Sequence, residues 1–95
     1  MYGLIYTKQY QTQFYKLDKS VRINIFNKLP ELLTDKKFKR LKYFNVGILK
    51  VGQYRVGFLD KEEKRILLFV GTHKEYEEWY SKQTKERLLE ILKEY

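Results

Sequence analysis

Cysteine is absent from the 95 residues, and histidine occurs once, as His73. Disulfides and thiolate metal sites are thereby excluded, and a histidine-rich metal site with them, so neither a metal nor another cofactor is expected. Proline also occurs once, as Pro30. The chain shows no linker, internal repeat or low-complexity stretch. No apolar run approaches the roughly 18–20 residues of a membrane span. The opening Met1-Tyr2-Gly3-Leu4-Ile5-Tyr6 is too short and too polar-flanked for a signal peptide. These absences lead to the expectation of one soluble, cytoplasmic domain over residues 1–95 with no membrane partner. Negative charge is also scarce, but only in one part of the chain. Residues 1–55 carry twelve Lys/Arg against three Asp/Glu, whereas residues 56–95 carry eight against nine. The net charge of +8 therefore resides in the first part. It peaks at Lys36-Lys37-Phe38-Lys39-Arg40-Leu41-Lys42, five cations in seven residues. Such a concentrated basic patch is the footprint of a polyanionic partner, with a solvated loop as the plainer alternative.

The apolar pattern divides the chain into elements. Residues 2–6 read as a short strand, and Thr7 is positioned to cap a helix. Tyr10, Phe14 and Leu17 recur at helical spacing. After the turn at Asp18-Lys19-Ser20, with Ser20 as a candidate cap, Val21, Ile25, Leu29 and Leu32 form a second stripe, widened by Phe26 and Leu33. Pro30 should end or kink this helix near Leu29, because it has no N–H and clashes with the preceding turn. Three strands follow at about 44–51, 53–60 and 64–71, separated by Gly52-Gln53 and by the charged turn Asp60-Lys61-Glu62-Glu63. Ile66 to Val70 is apolar on both faces, which points to a central strand covered on both sides. Helix is expected again at 75–80 and 85–94. The predicted class is α+β: a helical hairpin packed on a small, mainly antiparallel sheet, in the order βααβββα. The opposite sheet face is expected to stay partly open and to hold the site.

On that face the residue types suit metal-free RNA cleavage. A 2′-hydroxyl attacks phosphorus, one group removes its proton, another protonates the leaving 5′-oxygen, and cations hold the phosphate. Arg55 supplies a permanent cation able to grip phosphate oxygens with two donors. His73 is suited to either proton transfer near neutral pH. Tyr76 could orient the reaction, and tyrosines such as Tyr80 could stack on unpaired bases. Lys37, Lys39, Arg40, Lys42 and Lys50 are candidate RNA-binding cations. Trp79 is expected to pack the last segment onto the sheet.

The stretch Leu49-Lys50-Val51-Gly52-Gln53-Tyr54-Arg55-Val56-Gly57-Phe58, following the Leu41-Lys42 segment, contains a G-x-Y-R-V hairpin. With Ile66 to Gly71 and the His73-centred ending, it resembles the RelE/ParE superfamily of toxin–antitoxin toxins. The ending Gly71-Thr72-His73-Lys74-Glu75-Tyr76 is similar to the HigB-like branch. The resemblance implies a RelE-like fold and a metal-independent endoribonuclease that cuts mRNA, on the ribosome. It also implies an acidic, RelB-like antitoxin that forms a hetero-oligomer with the toxin. Arg55 falls where the family holds the scissile phosphate. His73 falls where members place an arginine or histidine, and Tyr76 or Tyr80 near the family's C-terminal tyrosine. RelE members also carry lysines on the preceding strand, where this chain has Val46 and Ile48. Lys42, Lys50 and Arg40 are the available substitutes, and the general base is left open. The alternatives are a ParE-like toxin that inhibits gyrase without cutting RNA, and a non-catalytic module that binds RNA or protein.

Overall fold

The computed structural model describes residues 2–41 and 44–95. The chain runs as β1 (Gly3–Tyr6), α1 (Lys8–Tyr15), α2 (Lys19–Lys28), a 3-10 turn (Leu29–Leu33), β2 (Lys39–Arg40), β3 (Gly47–Val51), β4 (Tyr54–Lys61), β5 (Lys64–Thr72), α3 (His73–Ser81) and α4 (Lys85–Glu94). The five strands form one sheet in the order β1-β5-β4-β3-β2. β1 lies parallel to β5, and every other pairing is antiparallel. The expected meander is present, and β5 is, as expected, an interior strand, lying between β1 and β4 and buried on both faces. The two-residue strand β2, inside the basic run, was not foreseen.

The local signals explain the element ends. Thr7 Oγ1 accepts from the Tyr10 amide at 3.2 Å and donates to the Leu67 carbonyl at 2.7 Å, so one buried hydroxyl caps α1 and ties it to the sheet. The expected cap at Ser20 is displaced: α2 already begins at Lys19, with Asp18 at the cap position. Pro30 acts as anticipated, since α2 stops at Lys28 and tightens into the 3-10 turn.

Both faces of the sheet are covered. On one, α1, α2 and the 3-10 turn pack Tyr10, Ile25, Leu29 and Leu32 against Leu49, Val51, Val56, Phe58, Leu67 and Val70. On the other, Tyr76 and Leu88 of α3 and α4 pack with Val46, Ile48, Leu59, Ile66, Leu68 and Phe69. The expected open face is therefore closed by the C-terminal helices. The physical reason is a bulge in β5. Gly57 faces Phe69 and Phe58 faces Leu67, so Leu68 is the extra residue, and both Leu68 and Phe69 reach the second face. So much apolar surface requires a cover. Trp79 supplies part of it, as expected, stacked on Phe69 at 5.2 Å between ring centroids. Phe26, placed on the buried stripe by its spacing, is exposed instead.

The two hairpin turns differ in comfort. Gly52 takes φ +59°, for which glycine is suited, but at the turn joining β4 to β5 Glu62 takes φ +58°. A left-handed backbone costs a residue bearing a Cβ about 1–2 kcal/mol. Glu62→Gly is therefore expected to stabilise the fold by about 1 kcal/mol, raising the melting temperature by about 4 °C in a thermal unfolding experiment.

Candidate functional site

The open part of the second face shrinks to one end of the sheet, where β3, β4 and the start of α3 meet. Lys50 and Arg55 are direct register partners across the β3–β4 hairpin, and Arg55 is flanked on its other side by Gly71. Residues opposed in this way have Cβ atoms about 5 Å apart, and like charges so placed repel. A lysine facing an arginine thus costs the sheet stability unless an anion lies between them. Arg55 Nη1 donates to the carbonyls of Gly52 and Tyr54, at 2.8 and 2.9 Å, which folds the guanidinium back over its own turn. Lys50 is exposed, and it forms no ion pair among the described residues.

α3 begins beside this pair. The His73 amide donates to the Gln53 carbonyl at 2.9 Å, docking the helix start onto the β3–β4 turn. Thr72 and Glu75 close a reciprocal capping box that fixes the first turn of the helix. The His73 imidazole is exposed, and its Nε2 lies 2.6 Å from Glu77 Oε1, one helical turn along. Glu77 was not singled out in the sequence, although its i, i+4 spacing from His73 was the available signal. It holds the ring through Nε2 and leaves Nδ1 for other work.

The remaining candidates separate. Lys37, Lys39 and Lys50 line one groove with Lys28 and Lys36 between the basic run and β3. Lys36 and Lys28 are both paired with Glu31, whose carboxyl is held below its usual range by the hydrogen bond from Lys36 first and that from Lys28 next. Lys37 and Lys39 form no ion pair among the described residues. Arg40 does not join them. Its Nη2 is bound to Asp60 Oδ2 at 2.7 Å, and its guanidinium lies over the Phe58 ring on the α1–α2 face. Asp60 is five residues along β4 from Arg55, about 17 Å at strand spacing. Lys42 lies outside the described residues. Val46 and Ile48 are buried under α3 and α4, so Lys50 is the exposed lysine that β3 offers on this face.

The tyrosines prove to be core residues. Tyr76 is 3% exposed and lies over Gly57, where an added Cβ would come within 2.9 Å of its ring. It stacks with Tyr80, which meets Phe44 edge-on. Both hydroxyls are buried without a hydrogen-bond partner among the described residues. Burial, and then the neighbouring Tyr80, pushes the Tyr76 hydroxyl far above its ordinary pKa, so it stays neutral. Neither tyrosine presents its hydroxyl at the Lys50–Arg55–His73 edge. Among the described residues no cluster of His, Asp or Glu could hold a metal ion, and no helix is long and apolar enough to cross a membrane.

A mixed five-stranded sheet with a helix pair on each face and a cationic edge at one end defines a small α+β class with known members. It is the fold of the RelE toxins. No protein-family model matches the chain, and no curated protein matches it. Among solved structures, the isolated Escherichia coli RelE toxin superposes with a TM-score of 0.65 at 21% identity, over 85% of this chain and 97% of that one. The toxin of the intact E. coli RelBE toxin–antitoxin complex gives 0.65 at 22% identity, over 76% and 96%. The RelB–RelE complex from Methanococcus jannaschii gives 0.63 at 18% identity, over 80% and 98%.

Proposed function

We propose that the chain is the toxin of a toxin–antitoxin pair and that it cleaves mRNA on the ribosome by metal-independent transesterification. The observation that carries this reading is the like-charged Lys50–Arg55 pair at the end of a RelE-type sheet, with His73 docked beside it. Arg55 and Lys50 would bracket the scissile phosphate. The 2′-oxygen forms its bond to phosphorus as the bond to the 5′-oxygen breaks, leaving a 2′,3′-cyclic phosphate and a 5′-hydroxyl. His73 is suited to give the proton to the departing oxygen. Lys50 is the remaining exposed base candidate on β3, and it would take the 2′-hydroxyl proton once deprotonated. Lys37 and Lys39 would carry the flanking backbone. The neighbours that are complexes with antitoxins support an antitoxin as partner, and the net charge of +8 suits an acidic one.

Inducing the chain in cells and mapping mRNA 5′ ends tests the reading. Ribosome-dependent cuts that vanish in both Arg55→Ala and His73→Ala are expected. Growth arrest with intact mRNA and damaged DNA would replace it with the gyrase reading, and no arrest at all with the binding-module reading. The Lys50–Arg55 repulsion adds a separate expectation. Lys50→Ala should stabilise the folded protein by a few tenths of a kcal/mol in urea titration. It should also weaken RNA binding and lower the salt slope of the binding constant by about 0.7.

A further inference from the structure

The β3–β4 turn has a second side, away from α3, that the reaction described above does not use. There a depression of about 450 Å³ opens between α2 and the hairpin tip, a volume within the range of ligand pockets. Val21, Asn24 and Lys28 line it from α2, at i, i+3 and i+7 on one helical face. Val51 and Tyr54, register partners across the hairpin, line it from the sheet together with Gln53. An added Cβ on Gly52 would meet nothing within 4 Å, so the rim is open to an entering group.

The lining selects the occupant. Tyr54 is half-buried and packs against the α1–α2 core, which makes its ring a fixed platform of the kind on which unpaired bases stack. Asn24 and Gln53 are exposed, and a side-chain amide presents a donor and an acceptor side by side, the pattern that reads the edge of a base. The backbone of Gln53 is held in place, because its carbonyl accepts from the His73 amide. No carboxylate lines the depression. Lys28, although paired with Glu31, lines both this depression and the groove of Lys37, Lys39 and Lys50, so a polyanion lying along that groove runs directly into it. A second copy of this chain would instead bring its own net charge of +8 to the same place.

The chemistry lies on the other side of the same turn. Tyr54 and Arg55 follow one another in β4, so their side chains leave opposite faces from Cα atoms about 3.8 Å apart. The Arg55 guanidinium is folded back over the turn by its bonds to the Gly52 and Tyr54 carbonyls, which brings a phosphate held there to the tip that forms the rim of the depression. We propose that this depression is a base-binding pocket: it takes the unpaired base next to the scissile phosphate, stacked on Tyr54, and Asn24 and Gln53 decide which base is accepted. The proposal rests on the mRNA-cleavage reading and deepens it, since it assigns the base preference beside the cut to residues of α2 and the hairpin tip.

The test uses the whole chain and 2′-O-methyl hexamers of adenosine, cytidine and uridine, which lack the 2′-hydroxyl that cleavage needs. In fluorescence anisotropy the unaltered chain should favour one hexamer over the weakest by about tenfold. Asn24→Ala and Gln53→Ala should each narrow that ratio, and Tyr54→Leu should weaken all three hexamers about tenfold. Tyr54 also packs on the core, so Tyr54→Phe, which keeps the ring and should bind as the unaltered chain does, separates lost stacking from lost folding. In cells, mapped cuts should show one favoured base at a fixed position beside the cleaved bond, and Asn24→Ala and Gln53→Ala should flatten it. Equal affinity for the three hexamers overturns the pocket, as does a cut-site preference that both amide variants leave unchanged. Adenosine monophosphate binding as tightly as the adenosine hexamer also overturns it, in favour of a free-nucleotide site. If the unaltered chain cuts no mRNA, the cleavage reading falls instead, and the hexamers still decide whether the pocket exists.

Discussion

Arg55→Ala is expected to reduce mRNA cleavage by about 10²–10³-fold, the usual cost of removing one preorganised group that meets transition-state charge. The side chain is half-exposed, and its hydrogen bonds among the described residues are to the carbonyls of Gly52 and Tyr54, so the fold should barely register the change. Arg55→Lys separates charge from geometry. It keeps a cation opposite Lys50 but loses the two-pronged donor set, and it should recover only part of the rate. His73→Ala should cost a comparable 10²–10⁴-fold if the imidazole carries a proton. Single-turnover cleavage of ribosome-bound mRNA measures both, with urea unfolding as the control. Rates that survive Arg55→Ala at normal stability would remove the edge from the mechanism.

Asp60→Ala should produce the largest loss of stability, about 3 kcal/mol. Asp60 holds two arginines. Oδ2 is 2.7 Å from Arg40 Nη2, and Oδ1 is 3.4 Å from Arg65 Nε. Arg65 is 2% exposed, with its guanidinium 4.0 Å from the Tyr2 ring centroid and 4.9 and 5.2 Å from those of Phe38 and Phe58. Aromatic faces attract a cation but offer it no counter-charge. Removing Asp60 strands a buried charge, which costs about 3–5 kcal/mol. The lower figure applies because Asp60 is itself a quarter exposed and water can partly replace it. Arg40→Ala removes only the partly exposed partner and should cost less than about 1 kcal/mol. Arg65→Met in the Asp60→Ala background should restore much of the loss, because the stranded charge goes with it. Urea denaturation of the four proteins would show this order. A small effect of Asp60→Ala alone would mean that the aromatic cage suffices.

Much of the architecture was legible because it rests on local chemistry. Thr7 caps α1 through its own hydroxyl, Pro30 ends α2 through its missing N–H, and Gly52 opens a turn that a positive φ requires. Helical spacing, however, reports a face and not what covers it. Phe26 shares a stripe with Ile25 and Leu29, yet it sits just beyond the angular reach of the sheet and stays in water. Tyr76 follows the same logic in reverse. Its place three residues after His73 suggested a functional hydroxyl, but Gly57 on β4 leaves a hollow that its ring fills.

Charge was read less completely than pattern. The basic run around Lys36 to Lys42 is obvious in one dimension, but its members divide in three. Lys37 and Lys39 turn to the groove beside Lys50, while Arg40 turns to Asp60, twenty residues on. Residue types and spacing by themselves determined the class of fold and the order of most of its elements, and they nominated Arg55 and His73 as candidates. Strand register decided that Lys50 faces Arg55, and sheet packing decided that the C-terminal helices close the face expected to be open. Those outcomes depend on contacts between residues far apart in the chain, and the free energy of such contacts comes from burial and pairing that no local pattern encodes.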